Sequence, residues 1–124
     1  MDVTPLVKEG AQIIQSYAGG SFRVSGNVYE SAIIVSAERT VPWDVSRFDA
    51  LTAEDFQPII DDISNIDVVL MGTGAQMQFL PAPLKKALRV QGLSIDVMDT
   101  GAACRTYNVL MAEGRRVVTL LMPV

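Results

Sequence analysis

Two short glycine-containing turns carry the residues best suited to bind a ligand. Gly72-Thr73-Gly74 and Asp99-Thr100-Gly101 each follow a segment predicted as a strand, residues 67–71 and 93–98 respectively. In an open α/β sheet, ligands bind beyond the carboxyl ends of the strands, where free backbone amides can hold a carboxylate or a phosphate. One crevice lined by both turns is therefore a candidate site for a small molecule or an anion.

Both turns also have a purely structural explanation. Glycine allows a sharp strand exit with positive φ, and Asp99 or Thr100 can cap a following helix without any ligand. The sequence has no third glycine at Rossmann spacing and no Gly-Lys-Ser/Thr, so it predicts neither a dinucleotide site nor a P-loop.

Arg105 and Cys104 lie in the first turns of the helix that follows. Arg105 is either the partner of a nearby carboxylate such as Asp99 or an anion-binding side chain at the crevice. The start of a helix lowers a thiol pKa, which would favour a reactive Cys104. The neighbouring alanines favour a packed, unreactive thiol instead, because free cysteine is among the most buried residues.

The chain contains no histidine. This excludes Ser-His and Cys-His nucleophilic pairs and removes the commonest metal ligand. We therefore predict no catalytic residue, no metal site and no cofactor. The single cysteine excludes an internal disulfide and fits a reducing compartment.

Charge and a single tryptophan suggest where a partner would bind. Residues 1–67 hold 4 basic and 11 acidic side chains, whereas residues 68–124 hold 6 basic and 3 acidic ones. Lys85, Lys86 and Arg89 share one helix face that can meet an acidic partner or an anionic membrane surface. Trp43 is either a core anchor, which we favour, or an interface residue. A net charge of −4 argues against nucleic acid as a partner.

Strands dominate the first half of the chain and alternate with helices in the second half. Extended segments are predicted for residues 12–17, 22–24, 28–36, 41–43, 67–71, 93–98 and 116–122. Helices are predicted for residues 52–63, with a kink at Pro58, for residues 81–91, and for residues 100–113. The second should bury Leu84, Ala87 and Leu88. The third is apolar almost all round, which predicts burial on two sides.

Alternating strands and helices imply βαβ crossovers and a parallel arrangement. We therefore expect a single three-layer α/β domain over residues 1–124, with a mixed central sheet and extra antiparallel strands from the first half. Residues 1–10 are expected to form a flexible N-terminal segment. They contain Pro5 and acidic residues and do not resemble a signal peptide, and no apolar run is long enough for a transmembrane segment.

Several residue groups give the chain a resemblance to a known family. They are Ser16-Tyr17 with Gly20 and Phe22, Gly26 with Tyr29, Trp43, Gly72-Thr73-Gly74, Met98-Asp99-Thr100, residues 103–108 and residues 113–117. Over nearly its whole length the chain resembles a domain family of unknown function that includes assembly factor 3 of mitochondrial respiratory complex I (NADH dehydrogenase) and many bacterial proteins. The resemblance implies a three-layer α/β domain with a mixed sheet and no established enzymatic activity.

The resemblance also implies a setting. Mitochondrial members help to build complex I at the inner membrane with a partner assembly factor, and the bacterial genes often lie near protein-export genes. We expect the chain to be a bacterial cytoplasmic form without the transit extension of the mitochondrial members, with peripheral association at the inner membrane surface. Our leading hypothesis is a non-enzymatic assembly or interaction module with protein partners, such as respiratory-complex subunits or another assembly factor. The alternative is a small-molecule or anion-binding protein, or an enzyme, that uses the crevice.

Overall fold

The fold consists of two β-sheets and three α-helices in the part of the chain that the computed structural model describes, residues 10–124. The segment predicted for residues 1–10 lies outside this part, apart from Gly10. The strands are β1 (Ile14–Ser16), β2 (Phe22–Val24), β3 (Asn27–Tyr29), β4 (Ile33–Ser36), β5 (Thr40–Pro42), β6 (Val68–Gly72), β7 (Asp96–Met98) and β8 (Val117–Leu121). The helices are α1 (Gln57–Ile60), α2 (Ala82–Val90) and α3 (Thr100–Ala112).

The larger sheet is mixed, as the sequence predicted. Its strand order is β5-β4-β8-β6-β7. β6 pairs in parallel with β7 and β8, and the connections β6-α2-β7 and β7-α3-β8 are the expected βαβ crossovers. β4 pairs antiparallel with β5 and β8, so the first half of the chain contributes the antiparallel edge.

This sheet forms the middle of three layers, because its central strands are apolar on both faces. On β8, Val117 and Leu121 belong to the core shared with α3 and the smaller sheet. Val118 and Leu120, which point to the opposite face, pack with residues of α1, α2 and the connecting turns. Side chains alternate between the two faces of a strand, and here both faces are covered.

The smaller sheet is an antiparallel meander of β1, β2 and β3. Its tight turn has positive φ at Ser25 (45°) and Gly26 (87°), as a type I′ hairpin turn requires. The prediction of one strand over residues 28–36 was wrong, because the chain leaves the small sheet after Tyr29 and enters the large one at Ile33. The two segments differ in burial: Val28 on the edge strand β3 is exposed, whereas residues 32–35 are buried.

The predicted first helix is broken into short pieces. A 3-10 turn (Ala53–Phe56) leads into α1, which has only 4 residues, and a second 3-10 turn (Ile63–Asn65) follows. Pro58 occupies the first turn of α1, where its missing N–H is tolerated. Phe56 and Ile59 still reach the core, so the apolar spacing was correct although the helix is not continuous.

The second and third helices lie close to their predicted positions, but their buried faces are narrower. Ala87 on α2 is exposed, whereas Leu88 is buried. On α3, Val109 is 57% exposed and Leu110 is only half-buried, so the helix keeps one open side. α3 packs against β6 and β8 of the large sheet and also contacts β1 of the small one, which agrees with the predicted burial on two sides. Its buried residues are Thr100, Gly101, Ala103, Cys104, Tyr107 and Met111.

Candidate functional site

The two strand-exit turns lie side by side at the carboxyl ends of β6 and β7, where Gly72 is paired with Met98. Their polar groups bind each other. The Thr100 N–H donates to the Gly74 carbonyl at 2.8 Å, and the Gly74 N–H donates to Thr100 Oγ1 at 2.9 Å. The sequence correctly places these turns together, but each turn satisfies the backbone groups of the other.

Thr100 fills the space between the strands. Its side chain is fully buried, and its hydroxyl donates to the Met122 carbonyl at 2.7 Å. A Cβ at Gly72 would lie 2.7 Å from the Thr100 Cα, so the backbones of β6 and α3 are in direct contact. This close approach leaves no room for a ligand between Gly72 and Thr100.

Thr73 organises the loop that follows β6. Its hydroxyl accepts from the Gln78 N–H at 2.9 Å and donates to the Gln76 carbonyl at 2.8 Å. Its own N–H donates to the Met98 carbonyl at 2.9 Å. The side chain is buried, so these contacts replace solvent entirely and fix the start of residues 74–80.

Asp99 is the N-cap of α3, one of the two residues considered for that role. Its Oδ1 accepts from the Ala102 N–H at 2.8 Å, which satisfies one of the free amides at the helix start. The expected partnership of Asp99 with Arg105 is not formed. An α-helix turns by about 100° per residue, so a separation of six residues places the two side chains on different faces of the helix.

Arg105 instead reaches toward the small sheet. Its Nη1 donates to the Tyr17 hydroxyl at 3.2 Å, and both groups are near the surface. Tyr17 also lies over Gly101, because a Cβ there would meet the Tyr17 hydroxyl oxygen at 2.8 Å. Arg105 therefore lies away from the contact between Gly74 and Thr100. Its hydrogen bond to Tyr17 connects α3 to the residue that follows β1.

Two further α3 residues, Tyr107 and Asn108, attach the small sheet. The Asn108 side chain accepts from the Ile14 N–H at 3.0 Å and donates to the Ile14 carbonyl at 2.8 Å, as a neighbouring strand would. The Tyr107 hydroxyl donates to the Gln12 carbonyl at 2.8 Å. This role was not predicted from the sequence, although the pair Tyr107-Asn108 in a largely apolar helix is a visible signal of polar docking.

Cys104 lies in the core formed by α3 and the sheets. It is buried, and burial raises the pKa of its thiol to about 12, despite the opposing effect of the nearby Arg105 charge. At neutral pH the thiol therefore stays protonated and is a poor nucleophile. This geometry favours the packed thiol over the reactive one.

The behaviour of Cys104 is directly measurable. We expect the native protein at pH 8 to react with a soluble disulfide reagent at least about a hundredfold more slowly than the urea-unfolded chain, because the buried thiol is both protonated and inaccessible. The unfolded chain is the matched control, since it carries the same thiol without burial. Complete labelling of folded protein at the unfolded rate would contradict this assignment.

The residues considered for partner binding divide into two groups. Trp43 is only 4% exposed, its indole N–H donates to the Asp55 carbonyl at 2.8 Å, and its ring packs edge-on against Phe56. It is therefore a core anchor and is not available to a partner. Lys85, Lys86 and Arg89 are all exposed on α2.

Phe79 was not among the residues that the sequence suggested for partner binding. It is 74% exposed and, with Lys85 and Arg89, borders a shallow cavity of about 50 Å³ whose floor includes Leu88 and Leu93. A larger open groove of about 630 Å³ lies at the start of β8, beside Gly10. There the Arg116 guanidinium already pairs with the Asp67 carboxylate at 2.9 Å, which holds the pKa of that carboxyl below its usual range.

None of the helices within residues 10–124 is long and apolar enough to cross a lipid bilayer. Within the same residues, no three acidic or cysteine side chains converge in a way that would hold a metal ion.

Known proteins resemble this chain over most of its length. An uncharacterized protein of Rhodobacter capsulatus is 37% identical over 114 residues, which cover 92% of this chain and 86% of the relative. NADH dehydrogenase [ubiquinone] 1 alpha subcomplex assembly factor 3 of Bos taurus is 32% identical over 113 residues. These residues are 91% of this chain and 61% of the bovine protein, so the chain matches about three fifths of that relative.

A solved structure shares the fold. The crystal structure described as an outer membrane protein from Bartonella henselae superposes with a TM-score of 0.82 and is 36% identical, covering 93% of this chain and 97% of that one. A family model described as a protein of unknown function (DUF498/DUF598) matches residues 14–122. The chain therefore belongs to the DUF498/DUF598 family.

Proposed function

We propose that this protein is a non-enzymatic assembly module that assists the biogenesis of a membrane respiratory complex of the NADH dehydrogenase type. The observation that carries the proposal is the match of about nine tenths of the chain to assembly factor 3 of that complex. The proposed partners are respiratory-complex subunits or another assembly factor. The proposed location is the cytoplasm, with attachment to the inner membrane surface.

The geometry of the turns supports binding of partners over catalysis. The groups that were candidates for ligand binding, the Gly74 amide and the Thr73 and Thr100 hydroxyls, are engaged within the protein. The buried thiol of Cys104 has a raised pKa, which makes it unsuitable as a nucleophile. The alternative of a small-molecule or anion-binding protein would need an open crevice at these turns, and Thr100 occupies that space.

The exposed charges offer a contact for a partner or a surface. Lys85, Lys86 and Arg89 project from α2 within residues 68–95, a segment that contains no Asp or Glu. Clustered like charges attract an oppositely charged surface, and this attraction weakens as salt screens it. Substituting these three side chains therefore provides a test of the assembly role.

Deleting the gene should lower the amount of assembled NADH dehydrogenase in the cell that carries it. Native gels of membranes and NADH oxidation by those membranes would measure the loss. Reintroducing the unaltered gene should restore both, whereas K85E/K86E/R89E should restore them only in part. The matched control is R23E/R39E/R115E, which makes the same change in net charge at exposed positions elsewhere.

The complementation results would either support or reject the assembly role. Full restoration by the control variant and partial restoration by K85E/K86E/R89E would support an assembly role that uses α2. Normal levels of the complex and normal NADH oxidation after deletion would reject a non-redundant assembly role. Both variants must be present at equal amounts, which an immunoblot of the same cells would check.

A further inference from the structure

One face of the molecule combines exposed apolar side chains with positive charge. We call it the α2 face, and it consists of Phe79, Lys85, Lys86, Arg89 and Val90. In the described part of the chain none of its three cations forms an ion pair, and the two ion pairs found there are Arg47–Asp49 and Arg116–Asp67. The protein as a whole carries a net charge of −4, so this positive face is a local feature.

The α2 face has a defined shape because the loop before α2 is held in place. The Gln78 N–H donates to Thr73 Oγ1 at 2.9 Å, and the Gln78 side chain donates to the Thr73 carbonyl at 3.3 Å. Phe79 follows this fixed residue directly and still exposes 74% of its surface. The Thr73 network therefore presents the aromatic ring to the solvent instead of burying it.

The apolar and charged groups are neighbours. Phe79, Lys85 and Arg89 border the same shallow cavity. Val90, which is 80% exposed, follows Lys86 by one helical turn and so lies on the same side of the helix. Single exposed apolar residues are ordinary on protein surfaces, but an exposed aromatic ring on the same face as several cations is an arrangement that suits a membrane interface.

We propose that the α2 face binds the surface of an anionic membrane. Phe79 enters the headgroup region, and Lys85, Lys86 and Arg89 lie against lipid phosphates. The α2 face is thus the surface that would bring the protein to the membrane in the proposed function. Membrane binding rests on that function only in so far as the function explains why the protein is at the membrane.

The geometry favours a lipid surface over a protein partner. Protein partners are anchored by side chains that fill well-packed, fully desolvated pockets, and ligand pockets have volumes of about 300 to 1,000 Å³. The cavity beside Phe79 measures only about 50 Å³. Phe79 and Val90 protrude from a loop and a helix, and a fluid membrane surface can accommodate such protrusions without a matching shape.

Vesicle binding tests the charge requirement. The purified protein should cosediment with phosphatidylcholine vesicles that contain phosphatidylglycerol, and roughly a hundredfold less with phosphatidylcholine alone, because each basic side chain near an anionic surface contributes about a factor of five. Raising the salt concentration should release it. K85E/K86E/R89E should lose the binding, whereas R23E/R39E/R115E should retain most of it.

A second set of variants tests the apolar contact. F79S should weaken vesicle binding several-fold, whereas V28S, a similar change at the 60% exposed Val28 on β3, should not. F79W adds a tryptophan whose emission should shift to the blue on binding, while the buried Trp43 supplies a constant background. Equal binding by K85E/K86E/R89E and the unaltered protein, or F79W emission that does not change with anionic vesicles, would overturn the proposal.

The vesicle measurements and the gene-deletion experiment test the membrane contact and the assembly role separately. If vesicles do not bind but F79S still lowers the amount of assembled complex in cells, the α2 face contacts a protein and the membrane assignment is wrong. If vesicles bind as described but deletion of the gene leaves the complex at its normal level, the membrane face stands and the assembly role fails.

Discussion

Replacing Gly72 with alanine should lower the free energy of unfolding by about 3 kcal/mol. A Cβ at this position would lie 2.7 Å from the Thr100 Cα, 2.9 Å from Thr100 Oγ1 and 3.0 Å from a Leu121 methyl carbon. Overpacking of this kind costs about 1 to 3 kcal/mol when side chains can adjust. Here the nearest atom belongs to the backbone of α3, so the helix itself must move, and the upper end of that range is expected.

Gly101 provides the matched control. A Cβ there would also come close to another atom, the Tyr17 hydroxyl oxygen at 2.8 Å, but that atom is the end of a side chain near the surface. The ring can rotate away, and alanine is favoured over glycine in a helix by about 1 kcal/mol. Urea denaturation should therefore show a much smaller loss for G101A than for G72A. Equal losses would mean that the contact between β6 and α3 is not rigid.

The closeness of the two turns was predictable because it depends on local pattern and topology. Residues 67–71 and 93–98 read as strands joined by a helix, and parallel neighbours end at the same edge of a sheet. The structure confirms the pairing, with Gly72 opposite Met98. What could not be predicted is that the Thr100 hydroxyl bonds the Met122 carbonyl, since that contact joins the start of α3 to the end of the chain.

The errors in the predicted elements have a common cause. Residues 28–36 have the same extended pattern whether they form one strand or two, and only the tertiary structure determines that β3 and β4 belong to different sheets. Likewise, the spacing of Phe56 and Ile59 is satisfied by 3-10 turns around a short α1 as well as by a continuous helix. Burial patterns specify which face of a segment is covered, but they do not specify where the chain changes direction.

Only part of the proposed α2 face could be suggested from the sequence. Lys85, Lys86 and Arg89 were suggested because charge on a helix face is visible in the sequence, whereas the exposure of Phe79 depends on the Thr73 loop. Tyr107 and Asn108 belong to the residues that gave the family resemblance, and in the structure they attach β1 to α3. Residues that identify a family can therefore be those that build its fold.

Replacing Thr100 with valine should lower the free energy of unfolding by about 3 kcal/mol. Valine has nearly the same shape, so the packing against Gly72 is kept, but the hydroxyl is lost. The Met122 carbonyl would then lose a hydrogen-bond partner in a buried position, and the Gly74 N–H would lose one in a partly buried position. A buried backbone group without a partner costs about 1 to 3 kcal/mol, and two such groups are affected here.

Serine at position 100 is the control that isolates the hydroxyl. T100S keeps both hydrogen bonds and removes one methyl group, which is worth about 1 kcal/mol. If the hydroxyl of Thr100 holds the turns together, urea denaturation should order the stabilities as unaltered protein, T100S, then T100V. If instead T100V is as stable as T100S, the hydroxyl of Thr100 is not what holds the two turns together. The order of these two variants therefore determines whether the turns that first suggested a binding site are part of the scaffold.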